Sequence, residues 1–382
     1  MRLAEHDGKA LLRRHGLAVP RGVLLATGER PPADVAQWPG FVLKAQELEG
    51  GRDRRGLVRR FKTAAEFRDA RRLILPALDD AHIPLLLEEA VPIAREIYVA
   101  VRVDGTAQAL ELLISSEGGG NVETTRRLAR MTVNPAAPPT AEKIFARIAK
   151  LFPADVAAKL ARYTARLPDI VRQEDLELLE INPLALTKDG TLIACDAKII
   201  RDDSADFRHD PADCALSRNL AERTMTPLEQ EAKRLGFQLV ETDGEIVLVT
   251  SGAGLGMMMM DLLADHGLRA ASFMDNLRGA PDETMTERLT IARTMAARRN
   301  IKAIVFQTVI ASRSLAARID ALTAWIATAP LPKPLFVGLA AGHAATREMT
   351  TEQALQRLQE LGVAAFTDPV VMVKAVAQAF MR

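Results

Sequence analysis

The sequence predicts two folded units, an α+β unit in the first half and an α/β unit with a doubly wound parallel sheet in the second. A chain of 382 residues is longer than one hydrophobic core usually supports. Strand-like runs come largely in pairs in the first half, whereas in the second half they alternate with helical runs. A polar segment rich in Asp, Arg, Ser and Pro, at about residues 201–228, separates the two patterns and predicts a linker.

The composition argues against several classes of protein. Apolar residues make up 48% of the chain, charged residues 26%, and the formal net charge is only +1. A disordered tail or a nucleic-acid-binding surface would be far more charged. The N-terminus has no apolar signal region, and no run reaches the roughly 18 to 20 apolar residues of a membrane span. Cys195 and Cys214 are too few for a disulfide framework, so we expect a cytoplasmic protein with no membrane or nucleic-acid partner.

Short apolar runs bounded by polar residues and glycine predict the strands of the first half. The run at 41–45 leads through a polar, basic loop at 49–56 to a second strand, which predicts a hairpin with a flexible tip. Further strands are predicted at residues 84–89, 96–103 and 107–114. Apolar residues at three- and four-residue spacing predict helices over residues 141–151 and 154–167.

In the second half, strands and helices alternate along the chain. Strands are predicted at residues 245–250, 301–306 and 334–339. Helices are predicted at residues 254–266, 283–297, 315–327 and 351–361. Such alternation implies right-handed βαβ crossovers and a parallel sheet. We therefore expect domains at residues 1–225 and 240–382.

A predicted hairpin around residues 178–198 carries the strongest group of polar residues. Its two strands are joined by a turn at residues 188–190, and across that turn Glu180 or Asn182 can face Asp196. Two or three oxygen ligands would then lie close together. Magnesium prefers oxygen ligands and is usually completed by water and nucleotide phosphates. The alternative is an ordinary hairpin with solvated polar residues.

Lys44 lies inside an apolar strand, where burying an ammonium group is costly without an anionic partner. A phosphate would serve as that partner. The alternative is a lysine that reaches solvent from an edge strand. In the following loop, the backbone amides near Gly51, together with Arg52, could close over phosphates, because glycine permits close approach. A simple hairpin turn is the alternative.

Two further segments have binding chemistry. Glu88 and Glu89 end one strand and Glu96 opens the next, where an adenine could pack and a carboxylate could bind a ribose hydroxyl; the alternative is a solvated bend. The run 249–256 follows a strand and opens a helix, a geometry that aims backbone amides at an anion. The alternative is close strand–helix packing without a ligand.

In this order, and over nearly the whole chain, these segments resemble the β subunit of succinyl-CoA synthetase. The opening residues 3–20 are similar to the family's first helix and Gly-Leu-x-x-Pro turn. Lys44 and the Gly-Gly-Arg loop resemble its phosphate-contacting strand and loop, and the Glu-Ile-Asn-Pro and Asp-Ala-Lys segments resemble its magnesium hairpin. Residues 93–98, 115–119 and 251–255, with Asp275, are similar to its remaining segments.

The resemblance implies an N-terminal ATP-grasp fold followed by a flavodoxin-like domain, and an acid–CoA ligase of the tricarboxylic acid cycle. ATP or GTP would phosphorylate a histidine on an α partner, and CoA would displace the phosphoryl group from an acyl phosphate. We expect an α–β heterodimer or its dimer, with no catalytic residue on this chain. The implied nucleotide contacts are Lys44, Gly51, Arg52, Asp53, Glu88, Val91 and Glu96. Asn182 and Asp196 would hold Mg²⁺, and the implied acid or phosphate contacts are Ser251, Gly252, Arg278, Ala311, Ser312 and Arg313.

Several departures from the family pattern fall in the second half. Ser251 stands where the family has a carboxylate-binding Asn, Leu277 and Arg278 replace glycines after Asp275, and residues 307–313 contain no glycine. In the first half, Leu48 replaces a histidine before the Gly-Gly-Arg loop. One explanation is a different acid, whose extra carboxylate or sulfonate is bound by Arg278 or Arg313.

A second explanation is a ligase half without chemistry, in which case the chain is a structural or regulatory subunit. A free-standing ATP-grasp ligase that forms a peptide or amide bond is a third. The second domain, which such a ligase would not need, argues against it.

Overall fold

The chain folds into two units, Met1–Arg223 and Thr224–Arg382. The computed structural model describes residues 1–78, 80, 82–117, 127–276, 284–311 and 313–380. Both units mix helices with sheets, as the sequence predicts. Within these ranges, no helix combines the length and the apolar character that crossing a membrane requires.

The first unit contains a small antiparallel sheet. Its strands are β1 (Gly22–Leu25), β2 (Phe41–Ala45), β3 (Val58–Phe61) and β4 (Leu85–Glu89), in the order β1-β4-β2-β3. The predicted hairpin is confirmed, since β2 pairs with β3. Phe41 and Phe61 stack with ring centroids 5.1 Å apart. Helix α2 (Phe67–Ile74) contributes the fully buried Ile74 to the same core.

A larger antiparallel sheet completes the first unit. Its strands are β5 (Ile93–Asp104), β6 (Ala109–Ser115), β7 (Leu128–Val133), β8 (Leu176–Thr187), β9 (Leu192–Ala194) and β10 (Lys198–Arg201), in the order β10-β8-β5-β6-β7 with β9 on β8. The helices are α1 (Glu5–Arg14), α3 (Ala141–Ile148), α4 (Ala154–Thr164) and α5 (Leu167–Gln173). Because side chains alternate along a strand, Ile97, Val99 and Val101 of β5 join the helices in one core. Tyr98 and Ala100 belong to a separate small cluster.

The predicted linker at about residues 201–228 is wrong in its first part. Short 3₁₀ turns at Asp203–Arg208 and Pro211–Cys214 lead into helix α6 (Ala215–Thr224). The aspartates that suggested a loop cap these turns: the side chain of Asp210, for example, accepts a hydrogen bond from the Ala212 amide at 2.9 Å. Cys214 is fully buried in the core of the first unit.

The second unit begins with α7 (Pro227–Arg234) and has a parallel sheet at its centre. Its strands are β11 (Phe237–Glu241), β12 (Ile246–Thr250), β13 (Ser272–Asn276), β14 (Ala303–Ile310), β15 (Leu335–Ala341) and β16 (Ala364–Phe366). The order β12-β14-β15-β16 is parallel throughout, and β13 pairs antiparallel with β11. The predicted parallel sheet is confirmed, although β11, β13 and β16 were not predicted.

Helices cover both faces of the parallel sheet. Val247 and Val249 share a core with α9 (Met285–Ala296), α10 (Leu315–Thr328) and α11 (Thr351–Glu360). The alternate residues Ile246 and Leu248 share another core with α8 (Ala253–Asp265) and α12 (Pro369–Phe380). Burial on both faces explains why the strands are apolar runs without alternation.

Replacing Gly338 with Ala is expected to destabilise the second unit by about 1–3 kcal/mol. Gly338 lies opposite Gln307 in the sheet, and a β-carbon there would come within 1.7 Å of the Gln307 Oε1 atom. Gln307 is only 1% exposed and has little room to withdraw. Urea unfolding measures the change. The control is Gly254→Ala in α8, where an added β-carbon meets nothing within 4 Å and no loss of stability is expected. Equal stability of both variants would contradict the packing argument.

Candidate nucleotide and metal site

Lys44 and Glu88 lie on neighbouring strands of the small sheet and on the same face of it. In the register of β2 and β4, Lys44 is opposite Leu86, so Glu88, two residues further on, points to the same side. Both side chains are buried, with exposures of 8% and 2%. Two of the alternatives considered from sequence are therefore wrong: Lys44 does not reach solvent, and Glu88 is not part of a solvated bend.

The anionic partners of Lys44 are carboxylates of the chain itself. Its Nζ atom lies 2.6 Å from Glu5 Oε1 and 2.8 Å from Glu88 Oε2, and it donates a hydrogen bond to the carbonyl oxygen of Cys195 at 2.7 Å. The expectation that Lys44 has an anionic partner inside the strand is confirmed. In this structure, Glu5 and Glu88 satisfy it.

A second lysine, Lys9 of α1, contacts the same groups. Its Nζ atom lies 2.6 Å from Glu88 Oε1 and 2.7 Å from Glu5 Oε1, and donates to the Cys195 carbonyl at 2.8 Å. Lys9 is only 3% exposed. The first helix therefore supplies one cation and one carboxylate to a site whose other members lie in the small sheet and in the segment between β9 and β10.

Arg52 links this group to the hairpin that carries Asp196. Its Nη2 atom lies 2.7 Å from Glu5 Oε2 and 3.0 Å from Asp196 Oδ1, while Nη1 donates to the carbonyl of Ala45 at 3.1 Å. Gly51, just before it, has a φ of 75°, which only glycine adopts without strain. Together Lys9, Lys44, Arg52, Glu5, Glu88 and Asp196 form what we call the charge cluster, with three cations balanced by three carboxylates.

The predicted antiparallel register of the hairpin agrees with the structure. Lys198 lies opposite Glu180 and Ala194 lies opposite Leu184, so Asn182 falls opposite Asp196 between them. The register thus puts an amide-bearing and a carboxylate-bearing residue at facing positions, with Asp196 in the segment between β9 and β10. This donor set is the kind that Mg²⁺ takes when phosphate oxygens and water complete its coordination. Among the residues that the structure describes, no group of three or more His, Cys, Asp or Glu side chains could hold a metal, so the metal roles of Asn182 and Asp196 stay predictions.

Burial and charge act differently on the two ends of the cluster. Burial alone would raise the pKa of Glu5, but Lys44, Lys9 and Arg52 hold it well below the ordinary value. Burial also opposes the charge of Lys44, yet Glu5 and Glu88 raise its pKa. The pKa of Asp196, in contrast, is raised by burial and by the neighbouring Glu5. The cluster therefore compensates the charge of Asp196 less than that of Glu5.

Cys195 contributes its backbone to the site. Its carbonyl oxygen accepts from both lysines, whereas burial raises the pKa of its thiol to about 11. A thiol with that pKa is protonated near neutral pH and is a poor nucleophile. The position of Cys195 therefore supports binding rather than covalent chemistry.

The other predicted nucleotide contacts are not buried. Gly51, Asp53 and Glu96 are exposed and Val91 is half-buried, so their nucleotide roles stay predictions. Beside the hairpin, a cavity of about 510 Å³ is lined by residues that include Tyr98, Leu113, Glu180 and Lys198.

The predicted acid or phosphate contacts belong to the second unit. Ser251 and Gly252 follow β12 and open α8, and the Oγ atom of Ser251 accepts a hydrogen bond from the Val309 amide at 3.1 Å. Ala311 and Arg313 follow the adjacent strand β14 and are exposed. Because β12 and β14 are parallel, these segments leave the same edge of the sheet, where α/β sheets bind ligands. Arg278 and Ser312 lie outside the described residues.

Glu5 and Lys9 were not identified from sequence as site residues. They are spaced four residues apart on a helix, a pattern typical of an ordinary solvent-exposed ion pair. Their exposures of 2% and 3% set them apart from such a pair. The helix is mostly polar, with Ala10, Leu11 and Leu12 as its apolar side chains, so no local pattern predicts that this ion pair is buried.

Comparison with known proteins identifies the family. The ATP-grasp domain model matches residues 2–186. The β subunit of the ADP-forming succinate–CoA ligase of Desulfurococcus amylolyticus is 35% identical over 306 residues, which cover 77% of this chain and 79% of that protein. The chain belongs to this family. As a member of the succinate–CoA ligase β-subunit family, it is an ATP-grasp acid–CoA ligase subunit.

Two further comparisons extend the match over more of the chain. The β subunit 2 of the same ligase from Streptomyces coelicolor is 32% identical over 357 residues, covering 90% of this chain and 89% of that one. The structure of ATP citrate lyase from Methanothrix soehngenii, in complex with citrate and coenzyme A, is similar over 100% of this chain and 99% of its own, with a TM-score of 0.72 and 18% identity. At that identity the second comparison supports the fold alone.

Proposed function

We propose that this succinate–CoA ligase family member is the nucleotide-binding β subunit of an ADP-forming, Mg²⁺-dependent acid–CoA ligase. It would act with an α subunit that carries the phosphorylated histidine, as an α–β heterodimer or its dimer. The observation that carries the proposal is the charge cluster, because it brings Lys44, Arg52 and Asp196 together from three separate parts of the chain.

In this proposal the cations of the cluster bind the phosphates of ATP or GTP. The charges of Lys44 and Arg52 are already compensated by Glu5 and Glu88. Phosphate oxygens would therefore replace these carboxylates as partners of the two cations. Asn182 and Asp196 would hold Mg²⁺, which neutralises phosphate charge as a phosphoryl group is transferred.

The acid that is activated need not be succinate. Ser251 offers a hydroxyl, already accepting from a backbone amide, where a family Asn would offer an amide group. Arg313 adds an exposed guanidinium at the neighbouring strand end, and a guanidinium binds carboxylate or sulfonate with two parallel hydrogen bonds. We propose an acid with an additional anionic group, bound by Arg313 or Arg278.

The test is to produce the chain together with the α-like protein encoded nearest to it and to purify the complex. Dicarboxylates, tricarboxylates, sulfo-acids and branched monocarboxylates are then screened with CoA and MgATP or MgGTP. ADP or GDP release and CoA thioester formation are measured together. We expect stoichiometric release and thioester formation with one class of multiply charged acid.

Two results would decide against parts of the proposal. Turnover with succinate in preference to all other acids would refute the substrate assignment while leaving the enzyme class intact. Tight MgATP binding without turnover on any acid would instead support a structural or regulatory subunit.

A further inference from the structure

The carboxylate best placed to bind a metal is already engaged by the protein. Asp196 Oδ1 lies 3.0 Å from Arg52 Nη2 and also accepts a hydrogen bond from the Ala197 amide at 2.8 Å. Arg52 is held from two other directions, by Glu5 Oε2 at 2.7 Å and by the Ala45 carbonyl at 3.1 Å. Its side chain is only 11% exposed. The guanidinium is therefore a fixed part of the site in the nucleotide-free chain.

We propose that Arg52 masks Asp196 until nucleotide arrives, so that the divalent cation and the nucleotide bind as a pair. The inference rests on the proposed function, because it takes Asp196 as the metal-binding carboxylate. Phosphate oxygens draw the guanidinium away from Asp196, and the freed oxygen then accepts the cation. Glu5 keeps hold of Arg52 during this exchange, so the arginine moves within the site instead of leaving it.

Electrostatics make the two occupants of Asp196 mutually exclusive. A guanidinium and a divalent cation on one carboxylate oxygen would lie a few ångströms apart. The Asp196 side chain is 37% exposed but the Arg52 side chain only 11%, so the repulsion between these like charges is only partly screened. Asn182, at the facing position in the register, is neutral and cannot offset a second cation. The incoming phosphates reverse this balance because they bind Arg52 and the metal at once.

Such competition makes binding reciprocal. If nucleotide raises the affinity for the cation by removing Arg52 from Asp196, the cation must raise the affinity for nucleotide by the same factor. Free metal alone would bind weakly, which prevents the site from filling with a cation that carries no nucleotide. Removing the arginine should then strengthen metal binding in the absence of nucleotide, the opposite of what a plain loss of a binding residue gives.

The test measures Mn²⁺ binding to the full chain by electron paramagnetic resonance, without nucleotide and with a non-hydrolysable ATP analogue. Without nucleotide, Arg52→Gln is expected to bind Mn²⁺ at least about fivefold more tightly than the unaltered chain, the lower end of typical coupling between sites. The analogue should raise Mn²⁺ affinity strongly in the unaltered chain and much less in the variant. Asp196→Asn defines the background from other sites.

A matched control separates masking from a simple change of net charge. Arg55 lies in the same loop and pairs with Glu47, so Arg55→Gln removes the same charge without touching Asp196. Mn²⁺ affinity in this control should stay at the unaltered value. Arg52→Lys keeps a cation but cannot span Glu5 and Asp196, so its gain in Mn²⁺ affinity should be intermediate. This variant also tests the inference if Arg52→Gln folds poorly.

Two results would contradict the masking of Asp196 by Arg52, and a third would contradict the proposed metal site. Unchanged or weaker Mn²⁺ binding in Arg52→Gln contradicts masking. An equal gain in Arg52→Gln and Arg55→Gln assigns the effect to net charge and also contradicts masking. Mn²⁺ binding with the analogue that is undiminished in Asp196→Asn places the metal elsewhere, and it is the proposed site that then fails.

Discussion

Replacing Glu5 with Ala is expected to lower the free energy of unfolding of the first unit by about 3–5 kcal/mol, the usual cost of removing one partner from a buried ion pair. Glu5 contacts Lys9, Lys44 and Arg52, and it is 2% exposed. The variant would leave these cations with only Glu88 and Asp196 as charged partners. Urea unfolding followed by circular dichroism measures the change.

The control is Glu49→Gln, at an exposed glutamate in the loop between β2 and β3, where a change within about 0.5 kcal/mol is expected. Glu5→Gln keeps the shape and one acceptor oxygen, and should fall between the Ala variant and the unaltered chain. If Glu5→Ala were as stable as the control, the other carboxylates would be sufficient to stabilise the cluster, and the role assigned to Glu5 would be wrong.

The stabilising effect of Glu5 should depend on pH in a defined direction. Its pKa in the folded chain is held well below the ordinary value of 4.5. A carboxyl with a lowered pKa in the folded state stabilises above its unfolded pKa, and this contribution is lost as the pH falls toward the folded value. The stability difference between the unaltered chain and Glu5→Gln should therefore be constant above about pH 5.5 and shrink below pH 4.5. A difference that grew with acid would contradict the cause assigned to the shift.

The residues that break a local pattern were the ones that sequence alone could identify. Lys44 interrupts an apolar strand, and Asp196 lies across a turn from Asn182 at a spacing that antiparallel register fixes. Both positions follow from a period of two along a strand, which holds without any knowledge of the rest of the fold. In the second unit, the predicted strands and helices were located to within a few residues, because apolar runs and helical spacing are also local patterns, whereas β11, β13, β16 and α12 were not predicted.

What the sequence could not supply was the long-range pairing. Lys9 and Glu88 are 79 residues apart and Lys44 and Cys195 are 151 apart, so no local pattern relates them. Only the position of α1, packed through Leu11 and Leu12 into the core of the larger sheet, brings its polar face to Lys44. The sequence could indicate that Lys44 needs an anion, but not that Glu5 and Glu88 lie against it.

The error at residues 201–228 has a related cause. Asp, Ser and Pro are favoured in loops and also at the starts of short helices, because in both places they satisfy backbone groups. Burial distinguishes the two cases. Ser217 donates to Asp7 of α1 from its backbone at 2.8 Å and from its hydroxyl at 2.6 Å, which ties α6 to the first unit. A linker prediction that rests on composition cannot reveal such a contact.

Asp196→Asn is expected to abolish Mg²⁺-dependent nucleotide binding and to lower ligase turnover by roughly 10²- to 10³-fold, as removal of one preorganised electrostatic contact commonly does. The substitution keeps the shape of the side chain and an oxygen that can accept from the Ala197 amide. It removes the carboxylate charge, and a neutral amide cannot replace that charge as a ligand of a divalent cation. Fold stability should change little, because the lost ion pair with Arg52 leaves that arginine paired with Glu5.

Isothermal titration calorimetry with MgATP, compared with ATP in the presence of a chelator, separates the metal-dependent part of binding from the rest. The matched control is Asp189→Asn on the turn of the same hairpin, where the carboxylate contacts the hydroxyls of Thr187 and Thr191. That variant should bind MgATP as the unaltered chain does, because its carboxylate only organises the turn. Undiminished metal-dependent binding by Asp196→Asn would move the metal away from this hairpin. The charge cluster would then be a structural device that holds α1 against the two sheets.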